Sequence, residues 1–110
     1  MTPVEEIFES ATRPKGDLAG VFEHDGDTGY FYLYRAEPRK VLAAIHILSG
    51  HADFGAPDVH VRWTEDGSKV GLFIRGIVWA VFDGARLTSF GGNYRPAGSP
   101  SIPRAALEGF

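Results

Sequence analysis

The stretch FEHDGDTGYFYLY, residues 22–34, places three carboxylates in the spacing of a calcium-binding loop. Glu23, Asp25 and Asp27 alternate along the chain, as the first three ligands of an EF-hand loop do. That loop also needs a glycine at its sixth position and a bidentate glutamate at its twelfth. Here the glycine comes one residue late, at Gly29, and the twelfth position is Tyr34. The residues that fix the geometry of a calcium site are therefore missing.

The same loop has the chemistry of a β-hairpin tip. Asp25-Gly26 is a strong signal for a type I′ turn, in which both central residues have positive φ. It lies between two runs rich in aromatic and apolar residues, LAGVFE and GYFYLYR. A later segment, EDGSKVGLF, repeats the Asp-Gly, the glycine and the apolar run without the additional carboxylates. Both copies share turn chemistry, so we predict a structural hairpin.

A second set of possible metal ligands lies in the loop HADFGAPDVH, where imidazoles and carboxylates occur at His51, Asp53, Asp58 and His60. Such side chains suit zinc or another metal of borderline softness. Their spacings match no motif with a defined coordination geometry. Solvated loop residues are the commoner explanation. We keep the four as candidates and expect neither a metal nor any other cofactor.

His46 is the candidate for catalysis. Strict alternation along KVLAAIHIL places it on one strand face with Leu42, Ala44 and Leu48. A histidine in such surroundings is usually hydrogen-bonded into the core. The functional alternative is a general base lining a cavity in the sheet. The sequence contains no G-x-S-x-G elbow and no glycine-rich phosphate loop before a helix.

Three tyrosines, Tyr30, Tyr32 and Tyr34, share one face of their strand. With Arg62 they form our candidate surface for a ligand or partner. Single-stranded nucleic acids stack on such ladders, but they also need a basic groove, and the net charge here is −3. We therefore expect no nucleic-acid partner. For these tyrosines we favour the structural alternative, which is core and cross-strand packing.

Composition excludes further classes of chemistry. The chain has 110 residues and no cysteine, which removes thiol catalysis, disulfides and thiolate metal sites. Its N-terminus is acidic and polar, without the apolar core of a signal peptide, and no apolar run reaches the length of a membrane span. We expect a cytoplasmic protein that does not enter a membrane.

The elements that must position these residues are mostly strands. DVHVRWT alternates strictly, and KVGLFIR, IVWAVF and ARLTSF follow it across turns short enough for hairpins, which predicts a four-stranded meander at 58–90. Residues 40–48 fit either a helix start or a strand buried on both faces, and we favour the strand. We predict an all-β fold of about seven antiparallel strands in a barrel-like or sandwich sheet, with at most short helical elements at the termini.

The ends of the chain are harder to assign. Thr2 and Glu5 have the form of a capping box, so a helical turn over Val4–Glu9 and an edge strand both remain open. We expect one domain over 1–110, with an N-terminal segment at 1–16, a β core at 18–90 and a Gly/Pro-rich tail at 91–110. The tail carries apolar residues and a possible helical turn from Pro103.

That tail suggests two arrangements. It either reaches across a neighbouring copy, which predicts a homodimer, or folds back over its own sheet. We favour the homodimer because a small sheet leaves edge strands that need covering.

The segments GVFEHDGDTGYFYLY, AAIHIL and VRWTEDGSKVGLFIRGIVWAVFD together resemble a family of small uncharacterised bacterial proteins, classed as a domain of unknown function. The resemblance covers roughly residues 20–84. It implies a free-standing bacterial domain and names no activity.

We therefore expect a non-enzymatic binding or protein-interaction module. The alternative is a small hydrolase- or isomerase-like enzyme that uses His46. A deep pocket holding His46 and a second titratable group would favour the enzyme, and a filled core would favour the binding module.

Overall fold

The computed structural model describes residues 6–110, which form eight strands and two short helical elements. The strands are β1 (Ile7–Thr12), β2 (Leu18–His24), β3 (Thr28–Arg35), β4 (Lys40–Ser49), β5 (Val59–Trp63), β6 (Lys69–Ile74), β7 (Ile77–Asp83) and β8 (Thr88–Gly91). A 3₁₀ turn covers Ala56–Asp58, and α1 covers Arg104–Leu107. The predicted all-β fold is confirmed. Neither helical element within 6–110 has the length or apolar character needed to cross a membrane.

The strands form two antiparallel four-stranded sheets, and in each sheet the strands follow chain order. Sheet A has the order β1-β2-β3-β4, and sheet B has the order β5-β6-β7-β8. Their inner faces pack together, with Phe31 of sheet A stacked on Phe82 of sheet B at a centroid distance of 5.1 Å. The Trp63 Nε1 donates a hydrogen bond of 2.7 Å to the Ala11 carbonyl, which joins β5 to β1. The sheets do not close into a barrel, and the sandwich is the alternative that the structure supports.

The N-terminal segment contributes the strand that raises the total to eight. β1 pairs with β2 along its whole length, from Ile7 opposite His24 to Thr12 opposite Ala19. The edge-strand alternative is therefore correct for 7–12. The predicted capping box lies outside the described residues.

The second half of the chain is the predicted meander. Val59, Val61 and Trp63 alternate inward, and the turn between β6 and β7 has Arg75 and Gly76 at φ 52° and 80°. Positive φ at both central residues is the arrangement of a type I′ hairpin, whose twist matches that of the flanking strands.

Residues 40–48 form a strand, as predicted, but not one buried on both faces. Lys40, Val41 and Ala44 are exposed, and burial begins only at Ile45. Two irregularities in the pairing of β3 with β4 explain this pattern, because each inserts one unpaired residue and shifts the alternation of β4.

The tail folds back on its own chain. Its first part follows the free edge of β4, where the Asn93 and Tyr94 N–H groups donate to the carbonyls of His46 and Ile47. The predicted helical turn after Pro103 is present as α1. Of the two predicted arrangements of the tail, the structure contains the one in which it covers its own sheet.

Candidate functional site

The outer face of sheet A, which points away from sheet B, is the candidate functional site. Strand pairing arranges its side chains in three rows across the four strands. The first row holds Phe8, Glu23, Tyr30 and His46, the second Ser10, Val21, Tyr32 and Ala44, and the third Thr12, Ala19, Tyr34 and Val41. The name "outer face of sheet A" refers below to these twelve residues.

The sequence produces this face by simple alternation along β3. Phe31 and Leu33 point inward and are fully buried, so Tyr30, Tyr32 and Tyr34 must point outward. The predicted shared tyrosine face is thus present. The rings pack on one another and across strands, as favoured, but they form a solvent-facing layer and the expected placement in the core is wrong.

Large apolar side chains on this face remain exposed. Phe8 is 63% exposed and Val41 48% exposed, and Tyr30 at the centre of the first row is 38% exposed. Neighbouring tyrosine rings stack, with Tyr30 and Tyr32 centroids 6.0 Å apart and planes 20° from parallel. Exposed patches of this kind commonly mark interaction sites on soluble proteins.

The face has a shallow groove with one charged wall. Phe8, Val21, Glu23, Tyr32, Tyr34 and Val41 line an open volume of about 430 Å³. Partial burial raises the pKa of the Tyr32 phenol, and the nearby Glu23 carboxylate raises it further. Tyr32 is therefore a neutral hydroxyl at physiological pH, able to donate or accept a hydrogen bond at the rim of an apolar surface.

Sheet B differs because the tail covers its outer face. Val81 shares that face with Gly71 and is 0% exposed, and Ala106 of α1 is 6% exposed. A side chain at Gly71 would meet the Phe110 ring at 3.0 Å, and the Phe73 and Phe110 rings meet edge to face at 5.6 Å. Of the two outer faces, only that of sheet A has no such cover from residues 6–110.

His46 lies on the outer face of sheet A, where it lines an open depression of about 400 Å³ with Ser49 and Arg95 and not an enclosed cavity. The extra residue in β4 near Ile47 turns Leu48 into the core and leaves His46 beside Tyr30, at a centroid distance of 5.3 Å. The His46 Nε2 is 3.0 Å from the Ser49 hydroxyl oxygen. The expected face shared with Leu48 is wrong, since strict alternation does not hold across a bulge.

The four candidate metal ligands of residues 51–60 have other partners. Asp53 accepts hydrogen bonds from Tyr94 at 2.7 Å and from Arg75 at 3.2 Å. Asp58 accepts from the Gly55 N–H at 3.0 Å, and its carboxylate lies 3.8 Å from the Arg75 guanidinium. His51 and His60 are exposed side chains. Across 6–110 no three acidic, histidine or cysteine side chains are grouped as they would be around a metal ion.

Tyr94 joins this polar cluster to the core. Burial, together with its hydrogen bond to Asp53, raises the pKa of Tyr94 to about 12. Its ring packs edge to face on Trp79 at 4.8 Å and on Phe54 at 5.1 Å. The cluster therefore fixes the loop before β5 to the tail, which is a structural role.

Arg62 does not belong to the tyrosine surface. Its guanidinium lies over the Phe73 ring of sheet B at 5.3 Å from the centroid. Register places Arg62 opposite Gly71, so it lies on the outer face of sheet B. The structure separates Arg62 from the three tyrosines with which it was grouped.

The opening carboxylate loop is a hairpin tip, as predicted. The Asp25 carboxylate accepts hydrogen bonds from the Asp27 and Thr28 N–H groups at 2.9 and 2.8 Å, and these bonds lower the pKa of Asp25. Gly26 and Asp27 occupy the centre of the turn, and only Gly26 has positive φ, at 97°. The predicted type I′ turn is therefore wrong. Asp25 is the first residue of the turn and not a central one, and a positive φ at the first central residue alone is the arrangement of a type II′ turn.

His24 completes this hairpin from inside. It is 2% exposed, its Nε2 lies 2.9 Å from the Gly50 carbonyl oxygen, and its Nδ1 accepts a hydrogen bond from the Gly26 N–H at 3.1 Å. Both ring nitrogens are occupied by the backbone, so His24 holds the tip against the end of β4.

Sequence reasoning missed the large aliphatic and phenylalanine members of the candidate site, which are Phe8, Val21 and Val41. The signal for Phe8 was present as alternation in IFESAT, where Ile7 faces the core and Phe8 faces outward. Val41 could not be placed because the bulge that turns it outward leaves no pattern in the sequence.

Comparison with known proteins agrees with the resemblance found in the sequence. Residues 1–103 match the model of a family described as "Uncharacterized protein conserved in bacteria (DUF2251)". The chain belongs to this family. The match extends the resemblance beyond residues 20–84 to include β1, β8 and most of the tail.

A relative in Haemophilus influenzae strain Rd, described as "Uncharacterized protein", is 32% identical over 110 aligned positions. The alignment covers 87% of this chain and 67% of the relative. No solved structure shows a significant match to the chain.

Proposed function

We propose that the protein is a non-enzymatic interaction module that binds another protein chain through the outer face of sheet A. The observation that carries the proposal is the contrast between the two sheets. The tail buries Val81 on the outer face of sheet B, while Phe8 and Val41 on sheet A stay 63% and 48% exposed. Covering these side chains is favourable at about 25 cal/mol per Å² of apolar surface.

The kind of partner follows from the chemistry of the face. Tyrosine and phenylalanine are enriched in protein interfaces because their rings give large contact areas and the phenol also forms hydrogen bonds. The charged residue among the twelve is Glu23, and its carboxylate would repel a phosphate backbone. A protein surface suits this face better than a nucleic acid does.

The proposal treats the chain as one domain over residues 1–110 and places it in the cytoplasm. A hydrophobic core shared by both sheets supports the single domain. A sequence without cysteine suits a reducing compartment.

A second candidate function is hydrolysis at Ser49. The observation that favours it is the 3.0 Å contact between His46 Nε2 and Ser49 Oγ, the distance of a base from its nucleophile. The pair lies on an open surface, so water has free access and the environment would not strengthen charge stabilisation. We rank it second. Faster hydrolysis of p-nitrophenyl acetate than by the Ser49→Ala variant would support it.

Site-specific photo-cross-linking in bacterial cells tests the first proposal. A benzoyl-phenylalanine replaces Tyr32 in one variant and His60, exposed on the outer face of sheet B, in a matched control. Irradiation is expected to give a protein adduct at position 32 and little at position 60. Position 32 giving no protein adduct, or no more than position 60, would contradict the proposal.

A further inference from the structure

We infer that the outer face of sheet A binds an arginine side chain of its protein partner, with the guanidinium held by the Glu23 carboxylate and the aromatic rings around it. The inference rests on the proposed function and adds the chemistry of the side chain that the partner contributes. Three observations carry it: a carboxylate without a positive partner, aromatic rings on both sides of that carboxylate, and negative charge at the same end of the sheet.

Glu23 is an exposed carboxylate without a cationic partner in the described part of the chain. Every ion pair within 6–110 involves Arg13 or Arg75, and neither of these arginines pairs with Glu23. Residues 1–5 contain neither lysine nor arginine. None of the twelve residues of the face is lysine or arginine either. A positive charge that meets this carboxylate must therefore come from another molecule.

Aromatic rings flank Glu23 on both neighbouring strands. Phe8 of β1 and Tyr30 of β3 are its direct cross-strand neighbours on this face. Their side chains are 63% and 38% exposed, so a ligand can reach both rings. Because adjacent strands are about 4.8 Å apart, the backbones that carry the two rings are separated by about 9–10 Å. A flat group can enter the space between the rings, directly over the carboxylate.

The groove continues this surface with apolar and aromatic side chains. Phe8, Glu23, Val21 and Tyr32 line neighbouring parts of the same open volume of about 430 Å³. Tyr32 also stacks on Tyr30, with ring centroids 6.0 Å apart. A cation at Glu23 thus has aromatic rings beside it, which attract positive charge, and apolar surface on which a long side-chain stem can lie.

The end of the sheet that carries Glu23 is negatively charged. Asp25 and Asp27 are exposed in the adjoining turn. Two backbone N–H groups of the turn bond the Asp25 carboxylate and lower its pKa, so it is ionised at neutral pH. Partial burial raises the pKa of Tyr32, and the Glu23 and Asp25 carboxylates raise it further, which shows that their negative charge reaches the groove. Arg95 lines a separate depression and does not neutralise this charge.

Among cationic side chains, arginine fits this arrangement best. Its guanidinium is planar and weakly hydrated, stacks on aromatic rings and offers a carboxylate two parallel N–H donors. A lysine ammonium is a strongly hydrated point charge that gains less from flat rings. Arginine is also enriched in protein interfaces, where it often supplies a large part of the binding energy.

Residue-resolved NMR titration of the full chain with N-acetyl-arginine amide tests the inference. Saturable shifts are expected at Glu23, Tyr30 and Tyr32, with a dissociation constant on the order of 1–20 mM for so small a probe. N-acetyl-citrulline amide has the same shape without the charge and should bind at least about fivefold more weakly. N-acetyl-lysine amide keeps the charge without the plane and should bind at least about threefold more weakly.

A matched pair of variants tests the role of the carboxylate. Glu23→Gln should weaken binding of the arginine probe at least about fivefold and leave binding of the citrulline probe unchanged. Glu65→Gln removes an exposed carboxylate from the β5–β6 turn, away from this face, and should leave both probes unaffected. Circular dichroism verifies that both variants fold.

Three results would overturn the arginine contact: no saturable shift in the groove up to about 50 mM probe, binding of the citrulline or lysine probe as tight as that of the arginine probe, or binding that Glu23→Gln leaves unchanged. If cross-linking at position 32 then still gives a protein adduct, the interaction face stands and only the chemistry of the contact is wrong. If position 32 gives no adduct, the proposed function fails, and the inference fails with it.

Discussion

The contact between Phe110 and sheet B gives a stability prediction with a matched control. The last residue of the chain places its ring over Gly71 and against Phe73, with ring centroids 5.6 Å apart. Phe110→Ala removes the ring and exposes the sheet surface beneath it. Because the backbone of the tail is unchanged, the substitution isolates the packing from the entropy of ordering the tail.

The magnitude follows from area and geometry. A phenylalanine that buries on the order of 100 Å² of apolar surface contributes about 2.5 kcal/mol, an upper value because the unfolded chain is not fully extended. An edge-to-face pair adds about 0.5–1.5 kcal/mol. Phe110 is only partly buried, so we expect Phe110→Ala to lower the free energy of unfolding by about 2 kcal/mol.

The control is Phe8→Ala on the outer face of sheet A. Phe8 is 63% exposed, so the same substitution there should change the free energy of unfolding by less than about 0.7 kcal/mol. Urea unfolding at about 1 μM protein measures both. With an m-value of about 1.3 kcal/mol/M, Phe110→Ala should move the midpoint by about 1.5 M.

A double-mutant cycle with Phe73→Ala should give a coupling of about 1 kcal/mol. The reasoning is refuted if Phe110→Ala lies within about 0.5 kcal/mol of wild type. It is equally refuted if Phe8→Ala lowers the free energy of unfolding as much as Phe110→Ala does. The outer face of sheet A would then be as well packed as that of sheet B.

Three further perturbations test local assignments. Gly26→Val forces a β-branched residue to positive φ and should lower the free energy of unfolding, measured in urea, by about 1–3 kcal/mol. Asp27→Ala should leave the free energy of unfolding nearly unchanged. Calcium should leave the Tm of the wild-type protein unchanged. Hydrogen bonds from Thr64 and Ser68 lower the pKa of Asp66 to about 2, so its contribution to stability is full above pH 4 and lost as pH falls towards 2. Asp66→Asn should flatten that fall in a pH series of thermal melts, and an unchanged slope would contradict the assignment. Because the pKa of Tyr94 is raised to about 12, the contribution of Tyr94 to stability is full below pH 10 and lost between pH 10 and 12. Tyr94→Phe should remove that loss of stability. An ultraviolet titration in which Tyr94 ionises with an ordinary pKa would disprove the assignment.

Local sequence patterns predicted most of the strands because each signal acts within a few residues. Strict alternation at Val59, Val61 and Trp63 identified β5, and Arg75-Gly76 marked a tight hairpin. That the three tyrosines share one face followed from the same period of two along β3, whereas the exposure of that face did not. Such features depend on the pleat of a single strand and on the conformational freedom of turn residues.

The remaining features depend on contacts between distant segments. The bulges in β4 arise from its pairing with β3, and they reverse the expected orientation of His46 relative to Leu48. The division into two sheets depends on packing such as Phe31 against Phe82, 51 residues apart in sequence. No local pattern indicates that the tail covers sheet B while leaving sheet A open, although that difference defines the candidate site.

The central claim is that another protein covers the outer face of sheet A in the cell, and radical footprinting measures that cover directly. Purified protein at about 1 μM and protein inside living cells are oxidised briefly, and side-chain modification is compared residue by residue. The claim predicts reduced modification in cells at Phe8, Tyr30 and Val41. Ile77 of β7 and Leu87 of the turn before β8, 50% and 58% exposed, should be unchanged and serve as references. Equal modification of Phe8, Tyr30 and Val41 in both conditions, or protection confined to Ile77 and Leu87, would contradict it.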